Sequence, residues 1–318
     1  MRKPRWARSV AVFSITLFAS FSAWAEEAAP QELLTRMSAS LRALDFQGSF
    51  VYQHDGRVDA LRVFHLGGER ERERLVSLTG PRSEIVRDER TITCVQSGAM
   101  PTLFANRSGS PLLPLVPNVR GLSAQYSVTA GGEDRVAGYV VRVVDIAPRD
   151  QYRYGYRLWL QRDTQLPLRS AILDAAQRPL EQFMFVALDV GAKPSETDLL
   201  PGESLDSAAS PTAGERINAK PRWTVPQAPA GFRLVRTQRL DGSTPAEHLV
   251  YTDGVASVSI YVEPRTDPAQ AATESASMRG ALSIHSRSEG TLRITALGDV
   301  PPATVKAMAL GVRPSGAP

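Results

Sequence analysis

The residues best suited to catalysis or metal binding are few in this sequence and stand far apart. Its four histidines, His54, His65, His248 and His285, do not pair at the spacing of metal ligands, and there is no Cys-x-x-Cys or His-Glu-x-x-His motif. The Gly-x-Ser-x-Gly nucleophile elbow and the glycine-rich phosphate loops are also missing. A triad can assemble from distant residues, so an enzyme is not excluded. The pattern nevertheless argues against an enzyme, and we expect no catalytic residue, metal or cofactor.

The single cysteine, Cys94, offers little chemistry either. It lies in the β-branched run at residues 91–95, which is typical of a buried strand. No histidine stands within ten residues of it to favour the thiolate that a catalytic thiol needs. We expect an inert strand residue, with an intermolecular disulfide or a redox sensor as the open alternative.

The first 25 residues have the pattern of an export signal. A basic start, Arg2 to Arg8, precedes an apolar stretch at about residues 10–21, and Ala23-Trp24-Ala25 supplies the small residues that a signal peptidase reads. The apolar stretch is shorter than the ~20 residues that span a bilayer, which argues against an uncleaved anchor. We expect cleavage after Ala25 and a soluble protein outside the cytoplasm. The remainder holds 33 basic and 33 acidic residues, so the net charge of +4 does not indicate nucleic-acid binding.

The elements that must position these residues follow from hydrophobic periodicity. The chain has 318 residues, 42% apolar and 22% charged, which is the composition of a globular protein of about two domains. Residues 30–44 have the spacing of an amphipathic helix. Residues 49–54 and 58–66, joined by Asp55-Gly56, predict a β-hairpin with a type I′ turn. Short strands then follow at 74–78, 84–87, 90–95, 125–128, 139–146, 153–161, 169–173 and 182–188, which predicts a curved or partly closed antiparallel sheet.

A stretch rich in proline, serine and alanine separates this region from a smaller one. We predict a signal peptide at 1–25, an N-terminal domain at 26–200, a linker at 201–222 and a C-terminal domain at 223–318. The last should hold strands at 232–240, 248–252, 256–263, 281–287 and 292–297. It should also hold a short helix at 303–309, which a proline pair starts and Gly311 ends.

Charges of alternating sign occupy the run Glu69-Arg70-Glu71-Arg72-Glu73-Arg74. In a strand, the acids would lie on one face and the arginines on the other. We favour a solvated hairpin end or an edge strand, where charges discourage edge pairing. The alternative is a docking strip for a charged partner or for lipid phosphates.

Two further segments have an open interpretation. Residues 101–119 are apolar but proline-rich, so they should form a loop that covers the core of its own domain or that plugs or gates an apolar cavity. Tyr152, Tyr154 and Tyr156 would share one face of a strand, with Arg153, Arg157 and Trp159 on the other. We favour packing for this stripe over a cation–π or carbohydrate-like face.

Six stretches of the sequence closely resemble one known family. They are LDFQGSFVY at 44–52, RLVSLTG at 74–80, PRDQYRYGY at 148–156, WLQRDTQLPL at 159–168, YTDG with SIYVEP at 251–264, and GDVPPATV at 298–305. In order along nearly the whole mature chain, they resemble the RseB/MucB family of periplasmic regulators.

The resemblance implies a fold of the α+β class, mainly antiparallel β. The N-terminal domain would be an unclosed β-barrel with helices, like that of the lipoprotein carriers, and the C-terminal domain would be small and β-rich. It also implies a negative regulator of the sigma-E type envelope-stress response. Such a protein binds the periplasmic domain of an RseA/MucA-like anti-sigma factor, shields it from site-1 proteolysis, and is released by lipopolysaccharide or another acyl lipid. Nucleic acid and stable membrane insertion are not expected.

Candidate site residues follow from this expectation and from strand alternation. The lipid-cavity candidates are Phe50, Tyr52, Leu61, Val63, Leu75, Leu112, Leu113, Leu115 and Val116. The candidates for contact with the anti-sigma factor are Tyr251, Tyr261 and Glu263. The main alternative function is a periplasmic lipid or lipoprotein carrier, which would use the same barrel but need no second domain. An extracytoplasmic hydrolase is a more distant alternative.

Overall fold

The computed structural model describes residues 29–88, 92–96, 122–202, 207–208, 220–240, 245–265 and 273–316. These residues form mainly antiparallel strands, arranged in two large sheets and one two-stranded pair. The predicted export signal and the apolar segment at 101–119 lie outside the described residues.

The first element is helix α1, Pro30–Ala43. Pro30 stands in its first turn, where a missing N–H costs no helical hydrogen bond. The helix ends where Leu44 becomes extended. Its apolar side chains lie on one face and are buried in the main core: Leu33, Leu34, Met37 and Leu41.

Eleven strands form the first sheet. They are β1 Phe46–His54, β2 Arg57–Leu66, β3 Arg72–Ser77, β4 Ser83–Arg87, β5 Ile92–Gln96, β6 Tyr126–Val136, β7 Tyr139–Pro148, β8 Gly155–Gln161, β9 Pro167–Leu173, β10 Pro179–Val190 and β11 Ser207–Ala208. A single helical turn, α2 Leu122–Gln125, precedes β6. The spatial order is β11-β5-β4-β3-β2-β1-β10-β9-β8-β7-β6, so β11 and β6 are the two edges and the sheet is not closed.

The turn between β1 and β2 has the predicted conformation. Asp55 and Gly56 have φ angles of 48° and 73°. Positive φ at both central residues is the mark of a type I′ turn, whose twist matches that of the flanking strands. The register pairs His54 with Arg57 directly beside this turn.

Six strands form the second sheet. They are β13 Arg233–Leu240, β14 Ala246–Thr252, β15 Ser257–Pro264, β16 Glu274–Arg279, β17 Leu282–Glu289 and β18 Leu292–Gly298, in the order β13-β14-β15-β18-β17-β16. Helix α3, Pro302–Leu310, packs on one face of this sheet through Val305, Met308 and Ala309. The short pair β12 Trp223–Thr224 and β19 Arg313–Pro314 completes the region.

Each large sheet has its own hydrophobic core. We call the first sheet with α1 and α2 the N-terminal unit, and the second sheet with α3 and the β12–β19 pair the C-terminal unit. Two residues cross this division, because Val255 and Ala281 of the C-terminal unit are buried in the core of the N-terminal unit. The two units therefore share packed side chains.

The predicted fold class, mainly antiparallel β with an unclosed sheet and a smaller second β region, is confirmed. Strand β6 extends to Val136, beyond the predicted end at 128, because the glycine pair at 131–132 lies in a bulge that interrupts the alternation. Strand β16 was not predicted because all six of its residues are exposed and show no alternation. Strand β8 begins at Gly155 instead of 153.

Among the helices in the described ranges, none combines the length and the apolar character that crossing a bilayer requires.

Candidate functional site

Five of the predicted cavity residues lie on one face of three neighbouring strands. Phe50 pairs with Leu61 across β1 and β2, Val63 pairs with Leu75 across β2 and β3, and Tyr52 lies two residues from Phe50 on the same face. All five are at most 5% exposed and belong to one core. We call this face of the first sheet the inner face. Whether it receives a lipid stays a prediction.

Two aromatic residues of the inner face were missed by the sequence analysis. Phe183 and Phe185 on β10 pair with Tyr52 and Phe50 on β1. The ring of Phe50 meets Phe183 and Phe185 edge to face, with centroids 6.1 and 5.7 Å apart. The alternation of apolar residues within 182–188 contained the signal that places both on one face.

One end of the inner face is polar. His54 Nε2 lies 3.0 Å from Asp59 Oδ2, and the His54 ring stacks on Tyr52 with centroids 4.9 Å apart. The Tyr52 hydroxyl donates to Glu181 Oε2 at 2.5 Å, and Glu181 Oε1 accepts the backbone N–H of Ala281 at 2.8 Å. This end of the N-terminal unit therefore reaches the C-terminal unit through a buried carboxylate.

The other end of the inner face holds His65, which fixes the end of α1. Its Nδ1 lies 2.9 Å from the Leu44 carbonyl oxygen, and its ring stacks on Phe46 at 4.5 Å. Burial lowers the pKa of His65, but the hydrogen bond to Glu71 and the charge of Glu73 outweigh it and raise that pKa above its usual value. Folding thus makes the His65 ring easier to protonate.

Arg153 and Asp253 form the main polar contact between the two units. Both side chains are fully buried, and the guanidinium also donates to Asp150 and to the Ala230 carbonyl oxygen. It lies over the Phe232 ring, 4.9 Å from the centroid. Our prediction that Arg153 lies on a strand face was wrong, because β8 begins only at Gly155 and Arg153 lies in the bend before it.

Asp253 also organises its own turn. Its Oδ1 accepts the backbone N–H groups of Val255 and Ala256 at 2.9 and 2.8 Å. Its Oδ2 accepts the Tyr126 hydroxyl at 3.2 Å. Burial and the nearby charges raise the pKa of Tyr126, so its hydroxyl keeps its proton and stays a donor.

A third contact joins the start of α3 to the N-terminal unit. The Thr304 hydroxyl donates to the Tyr152 carbonyl oxygen at 2.8 Å. Together with the pairs Arg153–Asp253 and Glu181–Ala281, this contact defines what we call the seam. Tyr154 and Tyr156 are buried in the adjoining core, which confirms packing for these two residues of the tyrosine stripe.

The alternating charged run does not form an edge strand, so that part of our interpretation was wrong. Residues Glu69 and Arg70 are exposed at a turn, as expected of a hairpin end, but Arg72–Ser77 is strand β3 between β2 and β4. Glu73 is buried on the inner face, opposite His65.

On the outer face of β3, the arginines hold residues 196–202. Arg72 pairs with Glu196 at 2.6 Å, and Arg74 donates to the Asp198 carbonyl oxygen at 3.2 Å. Arg74 also pairs with Glu84, which accepts the Gly202 N–H at 2.9 Å. The outer charges therefore fasten the chain that leaves the N-terminal unit.

The three predicted partner-contact residues lie on different faces of the second sheet. Tyr251 is buried in the core of the C-terminal unit, and its hydroxyl accepts the Val225 N–H at 2.8 Å. Tyr261 and Glu263 lie on the opposite face and are half-buried, with the Tyr261 ring stacked on His248 at 4.3 Å. The structure thus brings Tyr261 and Glu263 together and separates Tyr251 from them. Contact with a partner stays a prediction.

Four cavity candidates, Leu112, Leu113, Leu115 and Val116, lie outside the described residues. Cys94 is in strand β5, as predicted, opposite Ile85 of β4. Within the described ranges, no three His, Cys, Asp or Glu side chains gather closely enough to hold a metal ion.

Two protein-family models together match almost the whole described chain. Residues 29–203 match the MucB/RseB N-terminal domain, and residues 218–313 match the MucB/RseB C-terminal domain. The chain is 33% identical to the sigma factor AlgU regulatory protein MucB of Pseudomonas aeruginosa, over 89% of this chain and 90% of MucB. It is 28% identical to the sigma-E factor regulatory protein RseB of Escherichia coli, over 98% of both chains.

Solved structures give the same result. A crystal structure of MucB in complex with MucA(peri) is 29% identical and superposes with a TM-score of 0.75, covering 91% of this chain and 100% of that chain. A crystal structure of MucB alone is 30% identical, with a TM-score of 0.65 over 90% of this chain and 98% of that chain.

Proposed function

This chain belongs to the MucB/RseB family, and from that premise we propose that it regulates an envelope-stress sigma factor by binding the periplasmic domain of a MucA-like anti-sigma factor. Its relatives are named as sigma-factor regulatory proteins. We assign it a binding role and no catalytic one.

The observation that carries this proposal is the similarity to MucB in its complex with MucA(peri). The TM-score of 0.75 applies to 91% of this chain and to the whole of that MucB chain. Because the similarity extends over both units, either unit or the seam between them could supply the surface for such a partner.

We further propose that binding shields the anti-sigma factor from a site-1 protease and that lipopolysaccharide or another acyl lipid ends this protection. A lipid can release the partner only if it binds better to a state that does not hold the partner. The inner face supports this mechanism, since Phe50, Leu61 and Val63 are already buried against one another. An acyl chain must replace those contacts and therefore selects an opened state. About ten methylenes at ~0.8 kcal/mol each would supply roughly 8 kcal/mol before such losses.

The proposed location is the periplasm, with residues 1–25 acting as a cleaved export signal. We propose an N-terminal domain at 26–200, a linker at 201–222 and a C-terminal domain at 223–318. The separate cores of the two sheets support this division, as do the two family matches, which end at 203 and begin again at 218.

Calorimetric titration of the mature chain with the periplasmic segment of its host's MucA-like protein, with and without lipopolysaccharide, tests the function. We expect dissociation constants of about 1 μM or tighter, which correspond to about 8 kcal/mol, and weaker binding with lipopolysaccharide. Heat from lipopolysaccharide without any partner binding would instead indicate a lipid or lipoprotein carrier.

Variants of the whole chain test the C-terminal contact candidates, because cutting the units apart would expose the buried pair Arg153–Asp253. Tyr261→Ala and Glu263→Ala should weaken partner binding. Glu289→Ala, at the exposed end of β17, is the matched control. Equal affinity in all three variants would exclude this face as the contact surface.

A further inference from the structure

Glu181 on β10 links the inner face to the C-terminal unit with one carboxylate. Its Oε2 accepts the Tyr52 hydroxyl at 2.5 Å, and its Oε1 accepts the Ala281 N–H at 2.8 Å. The residue is only 3% exposed. A buried carboxylate depends on its donors, since each donor that is lost adds to the desolvation cost that its other contacts must offset.

On the side of the C-terminal unit, the turn between β16 and β17 is shaped around this carboxylate. Gly280 has a φ of 58°, and a Cβ at this position would overlap Glu181 Oε1. Ala281 is fully buried in the core of the N-terminal unit. The turn therefore sits in a close-fitting position that includes Glu181 as one wall.

On the side of the N-terminal unit, Tyr52 belongs to the inner face. It pairs with Phe183 on β10 and lies next to Phe50 on the same face of β1. A bulky apolar chain inserted among these rings must shift Tyr52. Its hydroxyl would then leave the position in which it donates to Glu181.

We propose that Glu181 is a positioning residue. It couples the binding of an acyl chain at the inner face to the packing of the β16–β17 turn against the N-terminal unit. The hydrogen bonds from Tyr52 and Ala281 share one carboxylate, so each holds it in the position that the other requires, and the loss of one weakens the other. This coupling rests on the acyl-ligand part of the proposed function and adds to it the route by which the ligand acts on the C-terminal unit.

The ion pair Arg153–Asp253 is a second contact between the two units, and it is separate from Glu181. It joins a different turn of the C-terminal unit, residues 253–256, and shares no hydrogen bond with Glu181. Release of the β16–β17 turn therefore leaves this second contact in place. The expected change is therefore a local release of the β16–β17 turn from the N-terminal unit and not a separation of the two units.

Coupling of this kind is reciprocal, so it can be tested from both ends in the whole mature chain. From the inner face, Tyr52→Phe removes only the hydroxyl. Tyr139→Phe is the matched control, because the Tyr139 hydroxyl bonds the Leu188 carbonyl oxygen within the N-terminal unit. Hydrogen exchange of the amides at 279–284 should be about tenfold faster in Tyr52→Phe than in the wild type and unchanged in Tyr139→Phe. Exchange at 253–257 should not change in either variant.

From the C-terminal unit, Gly280→Ala adds a methyl group that would overlap Glu181 Oε1. Gly290→Ala is the matched control, because Gly290 has the same φ of 58° in the next turn but open space around it. The probe is lysophosphatidylethanolamine carrying a myristoyl chain, kept below its micelle concentration. The affinity of the protein for this probe should rise several-fold in Gly280→Ala, because the variant already favours the state in which the β16–β17 turn is released. It should stay at the wild-type value in Gly290→Ala.

Equal exchange in Tyr52→Phe and Tyr139→Phe would overturn the proposal, as would equal probe affinity in the two glycine variants. Failure of the wild type to bind the probe would overturn the ligand coupling together with the lipid part of the proposed function. Failure to bind the anti-sigma segment, with both variant differences present, would contradict only the regulatory function.

Discussion

Arg153 and Asp253 stand one hundred residues apart in the chain and form an ion pair in which neither side chain reaches solvent. The pair joins the turn before β8 to the turn between β14 and β15. Removal of either charge would leave the other in a medium of low dielectric constant, where an uncompensated charge is costly.

We expect Asp253→Asn to lower the free energy of unfolding by about 3 kcal/mol or more, because it leaves the Arg153 guanidinium buried with one acidic neighbour fewer. The Asn oxygen can still accept the turn's backbone N–H groups, but an NH2 group replaces the oxygen that accepts from Arg153 and Tyr126, so the loss reports the charge together with these two hydrogen bonds. Urea denaturation measures it. Asp145→Asn removes the partner of Arg157 in a partly exposed pair and should cost less than about 1 kcal/mol. Equal costs would mean that the buried pair contributes no more than a surface one.

The hairpin turn gives a second prediction. Gly56→Ala should destabilise the protein by about 1 kcal/mol, since φ at this position is 73° and a Cβ there is strained even in open space. Gly132→Ala is the control, because that glycine is equally open but has no positive φ. It should be neutral or stabilise by about 0.5 kcal/mol. Thermal unfolding of the two variants compares them, and a Gly56→Ala variant as stable as Gly132→Ala would refute the strain.

His248 should make stability depend on pH. Burial, aided by the charge of Arg236, lowers the pKa of His248 to about 4. A pKa below the unfolded value means that folding expels a proton, so stability falls as pH drops through this window. Between about pH 7 and about pH 5 the wild type should lose about 1 to 2 kcal/mol that His248→Gln keeps, after allowance for partial exposure. Urea denaturation at the two pH values measures the difference, and identical pH slopes in both proteins would contradict it.

Glu84 should hold in place the segment at 198–202, where the chain leaves the N-terminal unit. Burial raises the pKa of Glu84, but the Gly202 N–H and the guanidinium groups of Arg74 and Arg82 outweigh it and hold that pKa below its usual value. Its contribution to stability is therefore present at neutral pH and lost as pH falls through the lowered pKa.

In Glu84→Gln, we expect proteolysis and hydrogen exchange at residues 198–202 to become about tenfold faster, because charge-assisted hydrogen bonds are worth about 1.5 to 3 kcal/mol. Glu196→Gln is the control. Its carboxylate pairs with Arg72 but is largely exposed, so little change is expected. Protection at 198–202 that survives in Glu84→Gln would show that other contacts hold this segment.

Local patterns predicted much of this structure. Asp55-Gly56 specified its own turn, and strand alternation placed Phe50, Leu61 and Leu75 on one face. Both results depend on a few neighbouring residues. The same alternation, applied to β10, would also have found Phe183 and Phe185.

Contacts across the chain could not be predicted in this way. Arg153 was assigned to a strand face, because nothing in the sequence near it shows that its partner is Asp253. The burial of Tyr251 depends on the core of the C-terminal unit, in which its hydroxyl accepts the Val225 N–H, whereas Tyr261 lies on the other face of the sheet. Pairings of this kind follow from how whole units pack, and a single sequence does not display them.

The short pairing of β11 with β5 has a practical consequence for anyone who divides this protein. Residues 207–208 belong to the stretch that leads to the C-terminal unit, yet they cover the edge of the first sheet. A fragment that ends at 203, where the first family match ends, would leave the backbone groups of β5 open to strands of other molecules. Such a fragment should aggregate more readily than one that continues past 208, even though both contain every strand of the first sheet from β1 to β10.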